Sequence, residues 1–232
     1  MIISIENATK EYNLDEQVII PVNDVSLTIM KGDFVIIIGR SGTGKSTLLN
    51  LVAGLVKPTR GKIIVDGNNL SVMSDREVSQ LRSHKMGYIF QFPSLLPSLT
   101  LLENTAMPAT FYSNRDGVSP YKRAEKLLKM LGLGDRMECH PRHLSAGEQK
   151  RAVIARSLLN NPSILLADEP TSDLDELTEN EVMKLMEKIH ASGVTILMVT
   201  HSLQLMPYAT RSYRMENGKI KVIKKAREAI SL

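Results

Sequence analysis

Five short stretches of the chain are almost wholly apolar and are bounded by Gly, Asp, Ser or Gln: "DFVIIIG" (33–39), "GKIIVDG" (61–67), "MGYIFQ" (86–91), "SILLADE" (163–169) and "VTILMVT" (194–200). Runs of this length, rich in Ile, Val and Leu and without inside-outside alternation, predict strands buried on both faces, as in a largely parallel sheet. Between them the period changes. "STLLNLVAGL" (46–55), "SPYKRAEKLLKMLGL" (119–133), "HLSAGEQKRAVIARSLL" (143–159) and "ELTENEVMKLMEKIHASG" (176–193) bring apolar residues back every three or four positions, which predicts helices with one buried face. Strand and helix alternate, so the fold class is α/β. From Gln91 to Leu144 no strand of this type occurs, only the Pro-containing loop "QFPSLLPSLT" and helical patterns. That segment reads as a helical subdomain inserted into the sheet domain.

Composition narrows the class. The 232 residues can bury a full core and lie near the upper end for one domain. A hydrophobic content of 43% with 23% charged residues is that of a soluble globular chain, and no apolar run approaches the roughly 18 residues that would span a bilayer. "MIISIENATKEY" carries neither a basic leader nor a cleavable apolar stretch, so a cytoplasmic location is expected. The single Cys139 excludes an internal disulfide and fits a reducing compartment. The net charge of +4 is confined to residues 219–232, "KIKVIKKAREAISL", which hold five Lys or Arg and one Glu; the rest of the chain balances to zero. No nucleic-acid partner is expected from such a balance. The basic tail reads either as a solvated end or as a segment weakly drawn to an anionic membrane surface.

The chemistry enters at "GRSGTGKST", residues 39–47, directly after an apolar strand and at the start of a helical pattern. Gly39, Gly44, Lys45 and Ser46 fill the G-x-x-x-x-G-K-[ST] spacing. Glycines let the backbone N–H groups of Gly39, Arg40, Ser41, Gly42, Thr43, Gly44, Lys45, Ser46 and Thr47 wrap a phosphate chain. The helix N-terminus adds positive potential, Lys45 reaches the β- and γ-phosphates, and Ser46 holds Mg²⁺. A nucleoside triphosphate site is therefore expected here. "SILLADEP" ends a second strand in Asp168, the acid that holds the metal directly or through water, and Glu169, which faces elsewhere and can act as general base toward an attacking water. His201 follows the strand "VTILMVT" and can orient that water or meet the γ-phosphate; Gln91 follows "MGYIF" and can reach Mg²⁺ or water. Tyr12 is either an adenine-stacking ring or an ordinary strand tyrosine.

"HLSAGEQKRAVIARSLL" poses its own question. Ser145 and Glu148 have the Ser-x-x-Glu spacing of a capping box, yet a Ser- and Gly-led helix N-terminus also suits an anion.

Together, "GRSGTGKST", Gln91, "LSAGEQKR", "ILLADEPTSDLD" and "VTHS" stand in the order and spacing of an ABC-type ATPase, which the chain resembles over nearly its whole length. The resemblance implies a P-loop NTPase fold: an ABC ATPase core with a largely parallel sheet, an antiparallel β subdomain and an inserted α-helical subdomain. It divides a single domain, 1–232, into a RecA-like core with the β subdomain (1–90 and 160–232) and a helical subdomain (91–159). Lys45, Ser46, Thr47, Gln91, Asp168, Glu169 and His201 take the roles above, and Tyr12 resembles the family's adenine-stacking aromatic. Ser145, Ala146, Gly147 and Glu148 resemble the signature loop, usually LSGGQ, that contacts the ATP of a partner cassette. Ala146 stands where the family usually has Gly, and Glu148 where it commonly has Gln.

Asp173 and Asp175 in "SDLD" resemble the loop that crosses between subunits. The resemblance further implies ATP and Mg²⁺ as ligands, and a head-to-tail homodimer or paired ABC ATPase with two ATP sandwiched between P-loop and partner signature loop. It also implies separate transmembrane permease subunits that hold the chain at the cytoplasmic face of the membrane. "YIFQFPSLLPSLTLLENTAMP" is most like the lipoprotein-releasing, macrolide-export and antimicrobial-peptide-resistance group, with Leu95 and Leu96 as candidates for contact with the membrane partner or for packing within the subdomain. A soluble ABC ATPase clamp not coupled to transport, and a nucleotide-binding regulator that scarcely hydrolyses, remain as alternatives.

Overall fold

The computed structural model describes residues 1–14, 17–111 and 117–224. In chain order its strands are β1 (Ile3–Leu14), β2 (Gln17–Ile29), β3 (Phe34–Ile38), β4 (Arg60–Val65), β5 (Asn68–Asn69), β6 (Met86–Ile89), β7 (Ile164–Asp168), β8 (Thr195–Thr200), β9 (Arg211–Glu216) and β10 (Lys219–Lys224). The α-helices are α1 (Lys45–Val52), α2 (Asp75–Lys85), α3 (Leu101–Ala106), α4 (Pro120–Met130), α5 (Ala146–Leu158) and α6 (Glu176–Ala191), with short 3₁₀ turns between. No described helix is long and apolar enough to cross a membrane.

Six strands form the central sheet in the order β10-β9-β3-β8-β7-β6. β3 pairs parallel with β8 and β9, and β7 pairs parallel with β8 and β6; only β9 and β10 run antiparallel. Every residue of β3, β7 and β8 is buried, the continuous apolar run that a sheet covered on both faces demands. One face packs against α1 and the second sheet through Val35, Ile37, Leu166 and Val199; the other packs against α5 and α6 through Phe34, Ile36, Leu165 and Met198. Each such fully buried side chain contributes about 1.5–3 kcal/mol relative to exposure.

The run "GKIIVDG" is a correction to the reading of five parallel strands. It forms β4, in a separate four-stranded sheet of order β2-β1-β4-β5, where it pairs antiparallel with β1. Its exposed first half, against buried Ile63 and Val65, marks an edge of the molecule that the apolar centre of the run conceals. β1 and β2 lack a strong periodic signal because their pairing slips at several positions, and Asn7 and Asp24 stand at positive φ. α2 buries only Val78 and packs part-buried Leu81 against the core, too little apolar surface to reveal a helix by periodicity. Among the described residues from 91 to 159 there are helices and turns but no strand. Of the basic tail, residues 219–224 form β10; residues 225–232 lie outside the described residues, and the membrane-surface reading falls mainly on them.

Candidate nucleotide site

Parallel strands carry their C-terminal ends to one edge, and three of those ends supply the site. β3 runs into the loop 39–44 and then α1, β7 into Asp168 and Glu169, and β8 into His201. A cleft of about 1170 Å³ opens there, lined by every residue from Gly39 to Thr47 together with Gln91, Glu169 and His201. The strand order places β8 between β3 and β7, so residues remote in sequence meet across about two strand spacings.

Gly44 begins α1 with φ 100°, and a Cβ there would overlap the Pro21 carbonyl oxygen of β2. No other residue type satisfies both demands. No side chain among the described residues caps α1, and its first turn holds no acid, so nothing within the helix itself offsets its N-terminal dipole at the cleft. Lys45 is buried; its Nζ donates to the carbonyls of Gly39 at 2.8 Å and Arg40 at 3.1 Å and lies 3.5 Å from Glu169 Oε1.

Asp168 and Glu169 part at the end of β7. Asp168 keeps its strand conformation and accepts a hydrogen bond from Ser46 Oγ at 3.0 Å. Burial pushes its carboxyl up, with the Ser46 hydrogen bond acting in the opposite direction, Glu169 adding to the rise and Lys45 opposing it. Glu169 turns into the left-handed region at φ 45°, a strain of about 1–3 kcal/mol for a residue with a side chain, and joins the cleft wall. Its Oε2 accepts from the His201 backbone N–H at 3.2 Å and lies 2.9 Å from His201 Nδ1. Gln91 lies two residues past β6, exposed at the cleft wall.

Ser46 Oγ and Asp168 Oδ1 offer two oxygens suited to a hard cation such as Mg²⁺, which completes its shell with water and phosphate oxygens. Among the described residues no group of three or more His, Cys, Asp or Glu side chains could hold a metal ion.

Tyr12 is not in the cleft wall. It pairs with Ile19 across β1 and β2, is 38% exposed, and carries the Lys10 ammonium 5.0 Å from its ring centre. Pro21, Leu203, Arg214, Glu216 and Asn217 line the cleft without having been read from the sequence. β9 and its following turn carry three of them, and a six-residue strand of four polar residues gives a weak signal.

Ser145, Ala146, Gly147 and Glu148 also lie outside the cleft wall. Ser145 caps α5: its Oγ accepts from the Glu148 N–H at 3.2 Å, and its own N–H donates to Glu148 Oε2 at 2.8 Å. Arg136 Nε donates to the other carboxylate oxygen at 3.1 Å. The Ser145 N–H bond, aided by the Ser145 side chain and Arg136 and opposed by burial, holds the Glu148 carboxyl below its usual range. Gly147 is buried where a Cβ would stand 2.6 Å from Thr178 Cγ2 of α6, while Ala146 is exposed. Asp175 caps α6 through the Thr178 N–H at 3.0 Å, and Asp173 stands at φ 64° in the loop before it.

Beside the helical segment a second groove of about 540 Å³ runs between Arg82, Phe90, Ser94, Pro108 and Arg156. Arg156 of α5 fixes its wall by donating to the carbonyls of Ser94 and Pro93. Leu95 packs against the core, whereas Leu96 is 43% exposed; Phe90 and Phe92 are the more exposed rings nearby, at 41% and 71%.

The protein family described as ABC transporter matches residues 22–172. An uncharacterized ABC transporter ATP-binding protein of Thermotoga maritima is 42% identical over 93% of this chain and 92% of its own length. The lipoprotein-releasing system ATP-binding protein LolD of Aquifex aeolicus is 43% identical over 84% of this chain and 87% of its own. Among solved structures, the ATP-binding cassette MJ0796 of Methanocaldococcus jannaschii, a dimer in a post-hydrolysis state bound to ADP and Pi, superposes with a TM-score of 0.90 at 38% identity, covering 98% of this chain and all of that one.

Proposed function

This chain belongs to the ABC transporter family, and on that premise we propose that it is the ATP-binding and ATP-hydrolysing motor subunit of a membrane ABC transporter complex. The convergence of Lys45, Glu169 and His201 beneath the loop 39–47 carries the reading. The loop and α1 N-terminus receive the β- and γ-phosphates, and Lys45 supplies the cation that meets them. Glu169 accepts a proton from the attacking water. The water oxygen bonds to the γ-phosphorus as the bond to the bridging oxygen breaks, and that electron pair leaves with ADP. His201, hydrogen-bonded to Glu169, fixes the carboxylate; Gln91 orients water or metal at the same wall. Ser46 and Asp168 would hold Mg²⁺, which when bound would supply positive charge against the phosphate oxygens. Tyr12 is the candidate ring for stacking on the adenine, although it does not line the cleft.

Two copies pair head to tail, residues 91–159 acting as the helical subdomain that offers Ser145 to Glu148 to the partner's ATP, with Asp173 and Asp175 at the crossing. The dimeric state of the MJ0796 cassette supports this pairing. Separate membrane subunits dock at the groove lined by Phe90, Ser94 and Pro108, which keeps the chain at the cytoplasmic face of the membrane. Hydrolysis of ATP by the purified chain, lost in Lys45→Ala, tests the enzyme. Co-purification with a multi-spanning protein from detergent-solubilised membranes tests the motor, and a wholly soluble partner set would overturn it.

A further inference from the structure

Lys150 lies on the buried stripe of α5 with Gly147, Ile154 and Leu158, and is only 5% exposed. An ammonium in such a place is strongly unfavourable unless hydrogen-bonded and paired, and an apolar chain of similar volume would fill the stripe at no such cost. Its Nζ donates to the Gln91 carbonyl at 2.7 Å and to Ser172 Oγ at 3.3 Å. The carboxylates of Asp173 and Glu169 supply the opposing charge. These partners come from two different strand ends: Gln91 follows β6, while Glu169, Ser172 and Asp173 follow β7. Lys150 itself stands five residues after Ser145, on the same helix that Ser145 caps.

We propose that Lys150 is a positioning residue that locks the backbone of Gln91 and the Ser172–Asp173 turn to α5, so that the placement of α5 sets where the Gln91 side chain stands in the cleft. The proposal deepens the ATPase reading and rests on it. α5 holds the loop after β6 at two points, Lys150 at Gln91 and Arg156 at Pro93 and Ser94. Without Lys150 the second anchor still shapes the docking groove, but Gln91 loses its tie to α5 and the catalytic edge.

The test is a double-mutant cycle on the full-length purified chain, reading steady-state ATP hydrolysis. Lys150→Met keeps the stem and removes the donor; it should lower kcat by about tenfold while KM for ATP moves by less than about threefold. Lys150→Gln keeps a donor and should lose only about threefold. In a Gln91→Ala background, either change should alter kcat by less than about twofold, because the side chain being positioned is gone. A native kcat in Lys150→Met overturns the proposal, as does a loss that multiplies fully with that of Gln91→Ala. Should Lys150→Met fail to fold, Lys150→Gln carries the same cycle with the same two overturning outcomes. A native chain without turnover would count against the ATPase reading itself, whereas native turnover with an indifferent Lys150 counts against this proposal alone.

Discussion

α1 and α5 both begin beside residues proposed for phosphate chemistry, yet their first turns are made of opposite materials. α1 starts from Gly44 in the left-handed region, has no side-chain cap and no acid, and buries Lys45 in its first turn. α5 starts from Ser145, whose hydroxyl and N–H are both engaged by Glu148, and Glu148 is held a second time by Arg136. An uncapped turn leaves its N–H groups and dipole to a ligand, whereas a capping box spends part of both on the helix itself. The first end suits a triphosphate within its own cleft; the second is stable as it stands and has only what its cap leaves over to offer a ligand. That division matches a site completed by a second copy, in which one half binds and the other half closes.

The comparison breaks first at the catalytic end. Glu169→Gln removes the proposed proton acceptor, and steady-state hydrolysis should fall by about 10²–10⁴-fold. ATP-dependent pairing, read by gel filtration, should persist because the cradle of 39–47 is untouched. Near-native turnover in that variant would remove Glu169 from the role of base. Lys45→Ala acts one step earlier: loss of a buried cation beside phosphate oxygens should weaken ATP binding by about 10–100-fold, measured with a fluorescent ATP analogue. Unchanged affinity would mean that the backbone N–H groups of α1 hold the nucleotide without it.

Much of this division was legible in the chain. The strands that lead to Gly39, Asp168 and His201 announce themselves because fully buried strands need unbroken apolar runs, and the phosphate loop because its glycines answer to backbone geometry rather than to packing. The capping box of α5 was legible for the same local reason, being complete within four residues. What stayed hidden depends on distance in sequence. Lys150 reads as a surface lysine until α5 is laid against β6 and β7, and Pro21 joins the cleft only because β2 crosses above Gly44. "GKIIVDG" misled because a short apolar run does not say which sheet it joins.

Ser145→Ala sharpens the contrast at the signature end, and α2 supplies its control. Ser74 and Glu77 cap α2 with the same reciprocal bonds, far from any nucleotide role. Either Ser→Ala change should lower stability by about 1 kcal/mol, visible as a small drop in Tm. Only Ser145→Ala should also weaken ATP-driven pairing. Equal pairing in both variants would reduce the α5 end to a helix cap.

The smallest effect separates the cap from its charge. Glu148→Gln retains an oxygen for the Ser145 N–H, since Gln also completes a capping box, and gives up only the charge that meets Arg136 and the α5 dipole. Arg136 is half exposed and Glu148 17% exposed, so the pair is partly screened and the change should cost only about 0.3–0.5 kcal/mol. Because the Glu148 carboxyl is held below its usual value near 4.5, its contribution is fully present above that value and lost as pH falls through the lower, folded one. The difference between native and Glu148→Gln unfolding, followed by urea titration, should therefore be flat above about pH 4.5, narrow below it, and shrink in high salt. A difference that widened on acidification would mean that Glu148 carries an unpaired charge in the folded chain, and the repulsion it would then exert on a partner's phosphate would argue against Ser145 as a phosphate donor.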